Sequence, residues 1–185
     1  MRVADEAAFA EFVQSRSPSL FRTALLLTGG RDPADDLGQS TLERVWQQWG
    51  RVRRADSPDA YARRILVNLA NDRWRSRRGR SEVPLLDSDT DTGAQLSTGD
   101  PYRQVVLRDE LIRVLHTLPL KMRTVLVLRY FDDLSDEGIA DLMQVSTSTV
   151  RSQASRGLAK LREVVPADEG TGTRCAHEYE QGGAQ

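Results

Sequence analysis

The chain has 185 residues, enough for one domain or two small ones, and 26 Lys and Arg nearly balance 27 Asp and Glu, so total charge selects no partner. One cysteine and two histidines exclude an intramolecular disulfide framework and a Cys/His zinc site built from this chain alone. The longest apolar run, within Leu20–Thr28, is too short to span a membrane, and no basic segment followed by an apolar one opens the chain, so a cytoplasmic protein is expected.

Taken in order, nearly every periodic segment predicts helix. Glu6–Val13 and Ser19–Leu27 form an amphipathic and then a strongly apolar pair, ended by Gly29-Gly30. Asp32-Pro33 supplies an N-cap and a first helical proline. In the helix that follows, Leu37, Leu42, Val45, Trp46 and Trp49 mark a buried face, and Gly50 is expected to close it. Ser57-Pro58-Asp59 opens the next helix by the same chemistry, running to about Arg77.

Charge is distributed unevenly. Arg51 to Arg80 carries ten arginines against three aspartates, whereas Ser81 to Tyr102 has five acidic residues and no basic one. A basic surface followed by an acidic segment points to a polyanionic partner. Gly79 to Pro101 has no helical period and reads as a linker. Helices are expected again over Tyr102–Leu115, Pro119–Phe131, Ser135–Met143 and Thr147–Val164, and the Gly-, Glu- and Gln-rich tail from Pro166 as disordered. The expected fold is all-α: two small helical domains joined by a flexible acidic linker.

Two helices carry candidate chemistry. In "LSDEGIADLMQVS" Ser135 is an N-cap, Ala140 is small where a second helix must approach, and Val150 returns to the core ten residues later. That is the pattern of a helix-turn-helix. Ser146 then caps a second helix presenting Ser148, Thr149, Arg151, Ser152, Ser155 and Arg156, with hydroxyls placed for phosphate oxygens and arginines for guanine edges. Gln144 stands at the turn position usually held by Gly, so an altered backbone is expected there. In "YARRILVNLANDRWRSRR", Tyr61, Ile65 and Leu69 form the buried stripe. Arg64, Asn68, Asn71, Asp72 and Arg75 share the opposite face, where amides can bond base edges while arginines hold phosphates. Trp49 and Tyr61 could stack on unpaired bases, although core packing is the simpler role for each.

In this order "FRTALLLTGG", "DPADDLGQSTLERVW", "PDAYARRILVNLANDRW", an acidic linker and "LPLKMRTVLVLRYFDDLSDEGIADLMQVSTSTVRSQASRGLAKLR" resemble an extracytoplasmic-function sigma factor of bacterial RNA polymerase, of the sigma-E-like actinobacterial subgroup. The resemblance implies residues 1–79 as the domain that docks on core polymerase and reads and melts the −10 element. It implies 80–101 as the acidic linker, 102–165 as the −35-reading helix-turn-helix domain, and 166–185 as a tail outside the likeness. Docking on the polymerase clamp helices would fall on Asp36, Gln39, Ser40 and Glu43, with the flap as a second contact of polymerase. The −10 role would fall on Arg64, Asn68, Asn71, Asp72 and Arg75, and the −35 role on Ser148, Thr149, Arg151, Ser152, Ser155 and Arg156. Promoter DNA and core polymerase are the implied partners, and an anti-sigma factor is a partner the likeness leaves open. The chain departs from the family pattern at Gly38, where a larger apolar residue is usual, and at Ser40, where Glu is usual.

No catalytic grouping, cofactor loop or metal cluster is apparent, so a non-enzymatic factor is expected. A stand-alone helix-turn-helix regulator of duplex DNA is the alternative, but it leaves the Asn/Arg helix and the acidic linker without a role. A nuclease holding a metal on linker carboxylates is disfavoured, because four aspartates spread along a tether make a poor cage. Cys175 and His177 in the tail are too few ligands for a metal switch.

Overall fold

The structure, a computed structural model, describes residues 3–78 and 101–164. Among these there are eight helices and no strand: α1 (Val3–Thr28), α2 (Arg31–Gln47), α3 (Trp49–Val52), α4 (Pro58–Arg78), α5 (Pro101–His116), α6 (Leu120–Tyr130), α7 (Asp136–Met143) and α8 (Thr147–Val164). The linker expected over 80–101 lies outside the described residues, apart from Pro101 at the start of α5. The tail expected over 166–185 lies outside them as well.

The two helices expected before Gly29 are one. α1 runs through Pro18 without a break. Phe12 on one side and Leu20, Ala24 and Leu27 on the other are buried in the same core, so tertiary packing holds the helix across the missing N–H. It ends at Gly29, whose φ of +85° is the left-handed conformation that glycine adopts without strain, and whose N–H closes onto the Leu25 carbonyl at 2.8 Å. α2 starts two residues earlier than the sequence implied. Gly30 is the N-cap, and Asp32 and Pro33 sit in the first turn. Gly50 does not close that helix but lies inside the short α3. Ser57 opens α4 as expected, its Oγ accepting the Ala60 N–H at 3.2 Å.

α1 and α2 pack together, and α4 lies across both. In the C-terminal half, α6 packs on α8 and α7 packs on α8. The halves do not stand apart. α1 contacts α5 and α6, α4 contacts α6 and α7, and one continuous apolar cluster includes Leu20, Leu37 and Leu66 with Leu118, Leu126 and Ile139.

Candidate nucleic-acid and polymerase interfaces

The helix-turn-helix forms as its sequence dictates. Ser135 Oγ accepts the Gly138 N–H at 3.1 Å, and Ile139, Ala140 and Leu142 turn inward. Gln144 ends α7 in the left-handed region (φ 56°, ψ 49°), the conformation a glycine would take. Its side-chain Nε2 donates to the Asp141 carbonyl at 2.7 Å, which offsets part of the strain of a side chain there. Ser146 Oγ accepts the Thr149 N–H at 3.2 Å and lies 2.8 Å from Ser148 Oγ, so the hydroxyls at the start of α8 form one hydrogen-bonded cluster. Val150, Ala154 and Gly157 are buried, while Ser148, Thr149, Arg151, Ser155 and Arg156 are exposed and Ser152 is half-buried. All six expected residues therefore line one accessible side of α8.

An orienting residue was missed by sequence reasoning. Arg151 Nε donates to Asp136 Oδ2 at 3.1 Å, and Arg129 binds the other carboxylate oxygen. The Arg151 hydrogen bond, reinforced by Arg129, holds the Asp136 carboxyl below its ordinary pKa. Asp136 lies in the first turn of α7, where a carboxylate favours the helix dipole, and nothing in its spacing marks Arg151, 15 positions away, as its partner.

On α4, Arg64, Asn68, Asp72 and Arg75 are exposed and Asn71 is half-buried, so the five share a face. Arg75 Nη2 is bound to Asp72 Oδ1 at 2.7 Å. Arg64 and Asn68 also line a cavity of about 230 Å³ with Arg44, Gln48, Tyr61 and Ile65. The Tyr61 hydroxyl donates to Gln48 Oε1 at 2.9 Å, fixing two of its walls. Arg44 and Gln48 come from the end of α2, too far from α4 in sequence to be linked to it by spacing. Trp49 is not at this surface. It is buried against Phe9 and Phe12, with ring centroids 5.3 Å and 5.5 Å away.

The expected docking residues divide. Gln39 and Glu43 are exposed and paired, with Gln39 Nε2 donating to Glu43 Oε1 at 3.1 Å. They border a groove of about 590 Å³ between α1 and α2, with Phe9, Phe21, Leu42 and Trp46 among its walls and Asp35 on its rim. Ser40 turns the other way. Arg73 Nη2 donates to Ser40 Oγ at 2.8 Å and to the Asp36 carbonyl at 2.9 Å, joining α2 to α4. Asp36 itself is exposed but does not border the groove. Gly38 does border it, and a methyl group added there would meet no atom within 4 Å.

Two families of sequence match this frame: "Sigma-70 region 2" over residues 12–80 and "Sigma-70, region 4" over residues 108–161. The RNA polymerase sigma-E factor of Streptomyces avermitilis is 35% identical over 155 residues, covering 84% of this chain and 83% of its own. The chain belongs to the extracytoplasmic-function sigma factors. The sigma-E factor of Streptomyces coelicolor gives the same picture, 35% identical over 159 residues and covering 86% of both chains. In fold, this sigma factor is similar to the sigma factor RpoE crystallised with the anti-sigma factor NepR from Bartonella quintana, at a TM-score of 0.70 and 24% identity, covering 88% of this chain and 99% of that one. No helix among the described residues of this sigma factor is long and apolar enough to cross a membrane.

Proposed function

We propose that the N-terminal half, residues 1–79, captures an unpaired base of the −10 element in the cavity beside Asn68, while α8 of the C-terminal half, residues 102–165, reads the −35 element in the duplex. The observation that supports this best is the cavity itself. It has room for a single base, its walls offer an aromatic ring, two amides and two guanidinium groups, and it opens on an arginine-rich helix. Arg64, Asn71 and Arg75 continue the same face and hold the adjacent backbone, with Asp72 orienting Arg75. The role of α8 falls on Ser148, Thr149, Arg151, Ser152, Ser155 and Arg156.

Core polymerase docks in the groove between α1 and α2. An apolar trough rimmed by Asp35 and Glu43 suits an amphipathic helix with basic flanks. Gln39 and Glu43 make direct contact there, whereas Ser40 acts through Arg73 and Asp36 lies to one side. Residues 80–101 link the halves within the polymerase, and the factor works in the cytoplasm. Melting draws on base capture, which offsets the cost of unstacking, so the factor needs no nucleotide hydrolysis and is not an enzyme. Anti-sigma factors are named with several structural relatives, and one is a fitting partner here. A stand-alone regulator of duplex DNA would have no use for a base-sized cavity.

Run-off transcription with core polymerase and this chain on a cognate promoter tests the reading. Initiation at one defined start that depends on the added chain is expected, and promoter-independent initiation would overturn it.

A further inference from the structure

Gln48 joins α2 to α3, and the fold holds it from both ends. Its backbone N–H closes α2 onto the Arg44 and Val45 carbonyls, each at 3.2 Å. Its own carbonyl accepts the Arg51 N–H at 2.8 Å and the Val52 N–H at 3.0 Å, which starts α3. Trp49, the next residue, is buried against Phe9 and Phe12, so the junction is anchored in the core and cannot slide. At the far end of the side chain, the Tyr61 hydroxyl occupies Oε1 at 2.9 Å. A glutamine that would otherwise sample many rotamers is thereby fixed in one.

That bond sorts the amide. With Oε1 turned to Tyr61, the two N–H groups of Nε2 are the part of Gln48 left for a ligand. The guanidinium groups of Arg44 and Arg64, also in the cavity wall, can only donate, and Arg64 uses one N–H on the Asp141 carbonyl. Ile65 adds an apolar surface. Asn68 is exposed and can present either end of its amide. Donors therefore outnumber acceptors around the cavity.

We infer that Gln48 is a specificity-determining residue of this cavity and Tyr61 the residue that positions it, so that the cavity takes a base bearing a carbonyl oxygen and rejects adenine. The inference rests on the proposed capture of a −10 base in the same cavity. The carbonyl oxygen of thymine, cytosine or guanine can accept from Gln48 Nε2 and from a neighbouring guanidinium. Adenine has no such oxygen and brings an exocyclic amine, itself a donor. Donor would face donor, and the N–H groups of the wall would lose water without gaining a partner. A site built to hydrogen-bond one group discriminates strongly against a ligand that lacks it, more strongly than a site that sorts by size. Size makes no choice here, since about 230 Å³ admits a purine as well as a pyrimidine.

The test uses holoenzyme assembled from core polymerase and the full chain, with fluorescent single-stranded oligonucleotides carrying the −10 element. An abasic residue placed at each position in turn locates the captured base as the position where binding falls most. At that position hypoxanthine is compared with adenine, since the two share a ring system and differ in a carbonyl set against an amine. The parent chain should bind the hypoxanthine form about tenfold more tightly. Tyr61→Phe keeps the ring and frees the amide to turn, so the ratio should fall to about twofold. Gln48→Leu should abolish the ratio, and Gln48→Glu should reverse it, because a carboxylate accepts from the adenine amine. The abasic oligonucleotide should bind equally to parent and variants, which shows that each variant is folded and docked. Equal binding of the two bases by the parent, or a ratio that survives Gln48→Leu or Tyr61→Phe, would overturn the inference. If no position responds to an abasic residue, the base-capture reading falls with it, whereas a response without selection overturns this inference alone.

Discussion

Arg151 of α8 is held by Asp136 of α7, Nε to Oδ2, at 3.1 Å. The carboxylate stands between Arg151 and Arg129, so it fixes a side chain that would otherwise sample many rotamers. Arg151→Ala should relax discrimination at one −35 base pair by about 1–3 kcal/mol, whereas Asp136→Asn, which keeps the shape but drops the charge, should cost a smaller part of it. Holoenzyme binding to promoters varied at each −35 position measures both. Equal loss at every position would instead make Arg151 a phosphate contact.

The groove predicts a division among residues that share α2. Glu43→Lys should weaken association with core polymerase by about tenfold, because it reverses the sign of the rim. Ser40→Ala should leave association nearly unchanged and reduce folding stability by about 1 kcal/mol through the lost Arg73 bond. Competition binding to polymerase and urea unfolding separate the two effects.

Gly38 offers a stabilising change. It lies inside α2 with open space where a side chain would start. Gly38→Ala should raise stability by about 0.5–1 kcal/mol, measured by thermal or urea unfolding.

The pH dependence of stability follows from His116. Burial, with the charge of Arg123 adding to it, lowers its pKa from 6.5 to about 4, and a backbone hydrogen bond with Leu26 opposes the shift only in part. Since a guanidinium only donates, His116 Nε2 at 3.0 Å must accept, which requires the neutral ring. A depressed pKa gives stability that is complete above 6.5 and is lost as pH falls from 6.5 through about 4. The loss should be on the order of 1–2 kcal/mol, discounted because the ring keeps some contact with water. Asp132 acts in the opposite sense. Burial raises its pKa, so its charge weakens the fold progressively as pH rises above the usual 3.8. Melting temperatures of the parent and His116→Gln between pH 4 and 7 check this, with the fall below pH 6.5 reduced in the variant.

Much of the local structure was legible in the sequence because it rests on local chemistry. Ser57, Ser135 and Ser146 cap the helices they precede, and Gln144 takes the left-handed conformation that its place in the turn demands. The misread places are those where distant packing overrides a local signal. Pro18 signals a break, but Phe12 and Leu20 hold α1 in one core. The seam between the halves was not foreseen, since Thr23, Arg123 and Asp132 are polar residues that a periodicity argument assigns to the surface. The residues lining α8 were legible, but the cavity wall from Arg44 and Gln48 was not, because only the packing of α2 on α4 brings them to Asn68.

The cavity beside Asn68 is proposed to take an unpaired promoter base. The most direct measurement is permanganate reactivity of −10 thymines in a promoter bound by holoenzyme carrying either the parent chain or Asn68→Ala. The parent should render thymines of the −10 element reactive, and Asn68→Ala should lower that opening by about tenfold while −35 binding persists, as expected for a base contact worth ~1–3 kcal/mol. Unreactive thymines in a parent complex that is bound and competent to initiate, or full reactivity with Asn68→Ala, would contradict the account.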